Sequence, residues 1–293
     1  MKKYSLINIT FLLIIPIILG ILWFRHGNIM GAGESGLPFY DLKRQFEIVN
    51  HAWATPLLGG SVGVQVATVP TDWLLAQLQS LGIPGFVIQA IFFIFLFTIA
   101  GFTVYLLTQE LFPNLNEKYT LLAVFFYWFN PISLVSVWNR FLYNYMVFWA
   151  LLPLALWLFL KGLRNKDYRY ALFTALVTVI FSYALTAIAF NVLLIFTLLY
   201  TFLFFFFKGL DKGFYVKYFL TFFVSFILFN FWWISQLFSF VSSLSYSASV
   251  SKYFTSNDNL STLQALSEKL GSLSYVLAFL HYDFFANGSP WAK

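Results

Sequence analysis

The chain contains no cysteine among its 293 residues. That excludes disulfides, thiolate nucleophiles and cysteine metal sites. Histidine is almost absent too, with three scattered copies, which argues against a histidine-only metal centre. Charge is equally scarce: 10% of residues are Asp, Glu, Lys or Arg, against roughly 25% in soluble domains. No cofactor motif is present. No internal repeat is visible, and the one low-complexity tract is the phenylalanine run at 204–207.

What fills the chain instead is apolar. Hydrophobic residues make up 60% and aromatics 23%, with 39 phenylalanines and a mean hydropathy of +0.79. A soluble surface does not tolerate that density of exposed aromatics, whereas lipid does. The composition is that of an all-α, polytopic transmembrane protein.

About seven spans are expected from the apolar runs. The first is Tyr4 to Phe24, long enough to cross and ended by Trp23 and Arg25; it reads as an uncleaved signal anchor. The others are Gly85 to Leu107, Tyr119 to Trp138, Tyr143 to Leu160, two shorter spans within Tyr170 to Phe207 that turn near Thr186, and Tyr218 to Phe238. Asn130-Pro131 is expected to kink or end the third span. Ser239 to Ser274 is Ser-rich and reads as a second external segment. Pro290-Trp291-Ala292-Lys293 does not read as a natural stop, which suggests that the transmembrane domain spanning 1–293 is truncated.

The charges orient these spans. The segments assigned to the cytoplasm (1–3, 109–118, 161–169 and 208–217) hold ten basic residues against four acids. Elsewhere the two signs balance at seven each. Basic excess in short loops marks the inside, so the N-terminus is expected in the cytoplasm and the protein in the cytoplasmic membrane. The net charge of +6 is spread over those turns, which removes nucleic acid as a partner and leaves the lipid bilayer. No Asp, Glu, Lys, Arg or His falls inside a span as drawn, and ion-coupled transporters usually need one. Asn191, Asn230 and Gln236 are the polar residues left to line a path.

The long polar interruption is 25–82, the first external loop and the candidate active site. It contains Glu34, Asp41, Glu47 and Asp72, with His26 and His51. Glycines 31, 33 and 36 with Pro38 break regular structure at its start. From Tyr40 to Leu58 the pattern predicts an interfacial amphipathic helix ended by Gly59-Gly60. A second short helix is expected from Thr71 through Leu81.

A carboxylate in such a loop suits general-base chemistry on a hydroxyl, because partial desolvation raises its affinity for a proton. Glu34 fits that role or that of a solvated turn residue. Asp41 reads as an N-cap of the amphipathic helix or as a second acid or metal ligand. Lys43 and Arg44 read as interfacial anchors or as phosphate binders. Arg140, on an external turn, is a phosphate clamp or a topological anchor. His51 lies on a helix flank. Asp72, after Thr71, reads as electrostatic support for a helix start.

Gly33-Glu34-Ser35-Gly36-Leu37-Pro38-Phe39-Tyr40 resembles the Gly-Asp-x-Gly-x-Pro-x motif that follows the first span of GT-C type glycosyltransferases, in the arabinofuranosyltransferase-like group. Leu81-Gly82-Ile83-Pro84 through Gln89, Tyr127-Trp128-Phe129-Asn130-Pro131 with Trp138, and Ala150-Leu151-Leu152-Pro153-Leu154 are similar to later elements of that group. The resemblance covers about residues 1–207. It implies transfer of a sugar from a polyprenyl-phosphate donor to a glycan or glycolipid acceptor outside the cytoplasmic membrane. It also implies that the catalytic base is Glu34, where the family carries Asp, with Asp41 assisting and Lys43, Arg44, His51 and Arg140 toward the substrate. A divalent cation is compatible with such chemistry. The alternative is a non-enzymatic lipid-linked glycan flippase, transporter or assembly scaffold.

Overall fold

The computed structural model describes residues 6–30, 38–51, 53–54, 61–62, 64–130, 133, 137, 142–251, 285–286 and 289–290. Two compact units divide the chain, Met1–Gln236 and Leu237–Lys293. Everything that bears on the candidate site lies in the first.

Apart from two-residue antiparallel pairs, the regular elements among the described residues are helices. The helices are α1 (Leu6–Phe24), α2 (Leu42–Val49), α3 (Val69–Ser80), α4 (Gly85–Leu111), α5 (Glu117–Phe129), α6 (Tyr143–Asn165), α7 (Arg169–Ile180), α8 (Ile188–Lys208) and α9 (Lys212–Ser251). Four segments are long and apolar enough to cross a membrane: Gly85–Leu111, Tyr143–Asn165, Ala189–Lys208 and Lys212–Ser239. This is an α-helical membrane protein.

The expectation of about seven spans is not met by length. Helices α5 and α7 have 13 and 12 residues, which at 1.5 Å per residue reach about 20 Å, against a hydrocarbon core of about 30 Å. Asn130 ends α5 in extended backbone, φ −68° and ψ 160°. Its side chain then bonds locally, donating to Tyr127 O and accepting from Ser133 N. Helix α5 therefore ends at Phe129, one of the two outcomes expected at Asn130-Pro131. The apolar run from Tyr170 breaks as expected near Thr186, at a 3-10 turn, Ser182–Thr186. Helix α9 continues to Ser251, so the Ser-rich stretch is helical at its start.

Helix α4 is central: α1, α5 and α6 all pack on it. Lipid tails are as apolar as these side chains, so close approach and dispersion must hold the helices together. A Cβ on Gly20 would collide with Ile94, and one on Gly101 with the indole of Trp128. That close approach lets Trp128 stack on Phe97, ring centroids 4.5 Å apart, and donate from Nε1 to Phe97 O at 3.2 Å. Leu13, Ile14, Ile17, Ile18 and Ile21 of α1 face outward, as lipid contact requires.

The polar loop differs from its expected outline. Helix α2 stops at Val49 instead of reaching Leu58. Ile48 and Val49 are β-branched and Asn50 favours turns, and Asn50 N closes the last turn on Phe46 O at 3.0 Å. Beyond it, Trp53–Ala54 pairs antiparallel with Ser61–Val62; Gly59 and Gly60 lie outside the described residues. Helix α3 begins at Val69, earlier than Thr71, with Pro70 in its first turn, where a missing N–H is harmless. Gly82, at φ 83°, reverses the chain after α3.

Candidate functional site

The loop is fastened to the first turns of α4 and α6. Gln89 on α4 grips the backbone of Met30 twice: Oε1 accepts from Met30 N at 2.8 Å and Nε2 donates to Met30 O at 2.7 Å. Tyr143, the first residue of α6, donates from its hydroxyl to the same Met30 oxygen at 3.1 Å. Gln89 Nε2 also donates to the Tyr143 hydroxyl at 3.0 Å. Gln89 is 2% exposed, so these bonds complete the needs of a buried amide.

Nine residues later the chain returns to the same place. Phe39 packs its ring against Tyr143 at 5.2 Å and Phe92 at 5.8 Å. Its carbonyl lies so close to Gly85 that a Cβ there would overlap it. Met30 and Phe39 thus bracket residues 31–37 at one point on the helix ends. Glu34 belongs to that bracketed segment and lies outside the described residues, as does Arg140.

Asp41 follows immediately. Its Oδ1 accepts from Arg44 N at 3.0 Å, making it the N-cap of α2. Lys43 N donates to Gln79 Oε1 at 3.0 Å, tying α2 to α3. The Arg44 guanidinium pairs with Glu47 at 3.1 Å on the exposed side of α2, a pair worth little in stability. His51 Nδ1 lies 2.7 Å from Glu47 O. Asp41, Lys43, Arg44 and His51 are therefore close in sequence and exposed, while the α2 face formed by Leu42 and Val49 is buried.

The residue sequence reasoning undervalued is Asp72. It lies in the first turn of α3, as the helix-start reading expects, but it is 1% exposed. Thr68 Oγ1 donates to its Oδ2 at 2.5 Å, and Gln45 supplies a second hydrogen bond. Burial dominates these bonds and pushes the carboxyl up to about 6. A small recess over it is lined by Pro38, Phe39, Leu42, Phe92, Tyr143 and Tyr183. The signal available in the sequence was the pair Thr68 and Asp72, one turn apart, the spacing of facing helical side chains.

At the other end of α4, polar groups are also consumed. Glu110 pairs with Arg164 at 3.1 Å. Asn8 donates to Glu117 Oε2 at 2.6 Å and to the Tyr105 hydroxyl at 3.2 Å. Lys166 holds Asp211 at 3.0 Å and Arg169 holds Asp167 at 2.8 Å; each cation keeps its carboxylate below the ordinary range. Among the described residues no three His, Asp or Glu side chains gather into a metal-binding group.

Comparison of the chain with protein families, with characterised proteins and with solved structures gives no match.

Proposed function

We propose that the chain is a membrane glycosyltransferase of GT-C type that moves a sugar from a polyprenyl-phosphate donor to a glycan or glycolipid acceptor on the external face of the cytoplasmic membrane. The observation that carries the reading is the bracket: the segment bearing Glu34 leaves the bundle at Met30 and rejoins it at Phe39, both on Tyr143. A base for this reaction has to stand at the boundary between lipid and water. The donor's prenyl chain comes from the bilayer and the acceptor from solution.

In this reaction Glu34 takes the proton of the acceptor hydroxyl. That oxygen forms a bond to the anomeric carbon of the donor sugar, and the bond from that carbon to the phosphate oxygen breaks. The polyprenyl phosphate departs with the electron pair. Lys43 and Arg44, exposed on α2, supply positive charge for the phosphate, and Arg140 and His51 are the further candidates near the substrate. Asp41 is committed to capping α2, which favours Glu34 as base. A multi-span arrangement that includes α1, α5 and α7 beside the four long helices, with the N-terminus inside, completes the proposal.

The flippase reading draws on polar residues within the apolar helices. Asn230 Nδ2 donates to Thr178 Oγ1 and Phe226 O, and its Oδ1 accepts from Trp233 Nε1. Asn191 donates to Leu185 O and Ala187 O. Both amides are engaged within the protein, which favours the enzyme.

The test uses membranes containing the protein, radiolabelled polyprenyl-phosphate sugars and envelope glycan acceptors. Transfer by wild type that disappears in Glu34→Gln at equal expression is the expected result. Failure of the wild-type chain to transfer any donor sugar would overturn the reading.

A further inference from the structure

Three connections meet at one end of the bundle. Arg164, in the last turn of α6, pairs with Glu110 near the end of α4, and Lys166, just after α6, pairs with Asp211 in the turn from α8 to α9. The other acids at this end are engaged too: Asp167 by Arg169, and Glu117 by the amide of Asn8. Lys208 and Lys212 flank the turn from α8 to α9. Among the described residues neither has a carboxylate partner.

Both ammoniums turn back onto α8. Lys208 Nζ lies 4.4 Å from the ring centre of Phe204, one turn earlier, and Lys212 Nζ lies 5.6 Å from that of Phe206. A ring face attracts one side of an ammonium and leaves its remaining N–H donors open. The segment Ala189–Lys208 has 20 residues, about 30 Å of helix, which matches the hydrocarbon core. The two cations are thus held at the edge of that core, at the level of lipid phosphates.

An apolar row leads away from them. Val192, Phe196, Tyr200, Leu203 and Phe207 recur at steps of three and four, so they share one face of α8, and all are exposed. Of the four segments that can cross a membrane, this one buries the smallest share of itself inside the protein. The row is about 22 Å long, more than one leaflet's half of the core. A second copy packed α8 against α8 in the same orientation would set these lysines against their own kind. A zwitterionic lipid brings an ammonium of its own. An anionic phospholipid matches both the row and the charge.

We propose that the outer face of α8 binds an anionic phospholipid of the adjoining leaflet, with its acyl chains along this row and its phosphate on Lys208 and Lys212. Asp211, within the turn, does not compete, because Lys166 and the Phe214 N–H engage its two oxygens. The site is independent of the glycosyltransferase reading.

Native mass spectrometry of the full chain released from detergent tests this, with phosphatidylglycerol and phosphatidylcholine of matched acyl chains as the probes. Wild type should retain phosphatidylglycerol more tightly. Lys208→Gln with Lys212→Gln should weaken that binding by about fivefold per lysine and leave phosphatidylcholine unchanged. Lys118→Gln with Lys217→Gln removes the same charge from lysines at the same end that lie over no ring, and should keep the preference. All four lysines are exposed, and thermal unfolding checks that each variant folds. Glycerophosphoglycerol, the headgroup without its tails, should not be retained at the same concentration. Equal retention of the two lipids by wild type would overturn the proposal. So would a control pair that loses as much as Lys208 and Lys212, since diffuse charge would then account for the preference. A dimer that Phe196→Ser converts to monomer would place a second copy on this face and overturn it as well.

Discussion

Gln89 treats Met30 as a neighbouring strand would: its side-chain amide matches both the N–H and the C=O of one residue, at 2.8 and 2.7 Å. The residues are 59 apart in sequence, so this two-point grip fixes where the loop leaves the bundle.

Replacing Gln89 by Leu should therefore do more than remove two bonds. It leaves the Met30 N–H without its partner at a half-buried site, where an orphaned group costs about 1 kcal/mol or more. Tyr143→Phe removes one donor to Met30 O, which Gln89 still serves, and should lose only about 1 kcal/mol. Thermal unfolding in detergent should rank them wild type, Tyr143→Phe, Gln89→Leu.

Gly85→Ala tests the other end of the bracket. The new Cβ overlaps the Phe39 carbonyl oxygen, and backbone is not free to swing aside. Overpacking of this kind destabilises by about 1–3 kcal/mol. The expected signature is local, with raised hydrogen exchange at 38–49 and little change within α4 or α6. Uniform loss of protection across the bundle would show that the contact supports the fold rather than the loop.

Asp41 and Glu34 are separated by substitution chemistry. Asparagine caps helices about as well as aspartate, and alanine gives up about 1 kcal/mol. Asp41→Asn should keep both stability and transfer, whereas Asp41→Ala should lose about 1 kcal/mol of stability. Glu34→Gln should abolish transfer and leave the melting temperature unchanged. Transfer lost in Asp41→Asn and retained in Glu34→Gln would move the base to Asp41.

Asp72 makes stability depend on pH with a definite sign. Its carboxyl is pushed from 3.8 in the ordinary state up to about 6 in the fold. The folded state therefore holds a proton that the unfolded chain releases. The resulting stability is fully present below pH 3.8, declines as pH rises through 6, and is absent above that. Between pH 4.5 and pH 7 this one group should withdraw about 2 kcal/mol. Asp72→Asn should remove that slope, as read from thermal midpoints at the two pH values.

Helix positions in the apolar runs were readable because length and hydropathy are local properties. Gly85, Tyr143 and the break near Thr186 all fall where the residue pattern puts them. The Asp41 cap was legible for the same reason, since it acts three residues away. The end of α5 was only half legible: Asn130-Pro131 announces a kink or an end, and which of the two follows is hidden in the local bonds of Asn130. The end of α2 was also hidden: the amphipathic period continues past Val49, but Trp53–Ala54 pairs with Ser61–Val62 instead. Asp72 does stand at a helix start as expected, but its burial was hidden because nothing adjacent in sequence reveals it. Phe39, Phe92, Tyr143 and Tyr183 reach it from four separate elements.

The bond from Tyr143 to Met30 O joins residues 113 apart, and that separation sets an order of assembly. When Met30 emerges from the ribosome its eventual partners do not yet exist. At about 5–20 residues per second, Tyr143 follows on the order of ten seconds later. Throughout that interval the first loop has to wait without its anchor, on a partly inserted chain whose Gln89 arrives midway. A membrane insertase or chaperone that shelters newly made helices would thus meet this protein with its first loop still unmoored, and Met30 would take its place only after the start of α6 had been laid down.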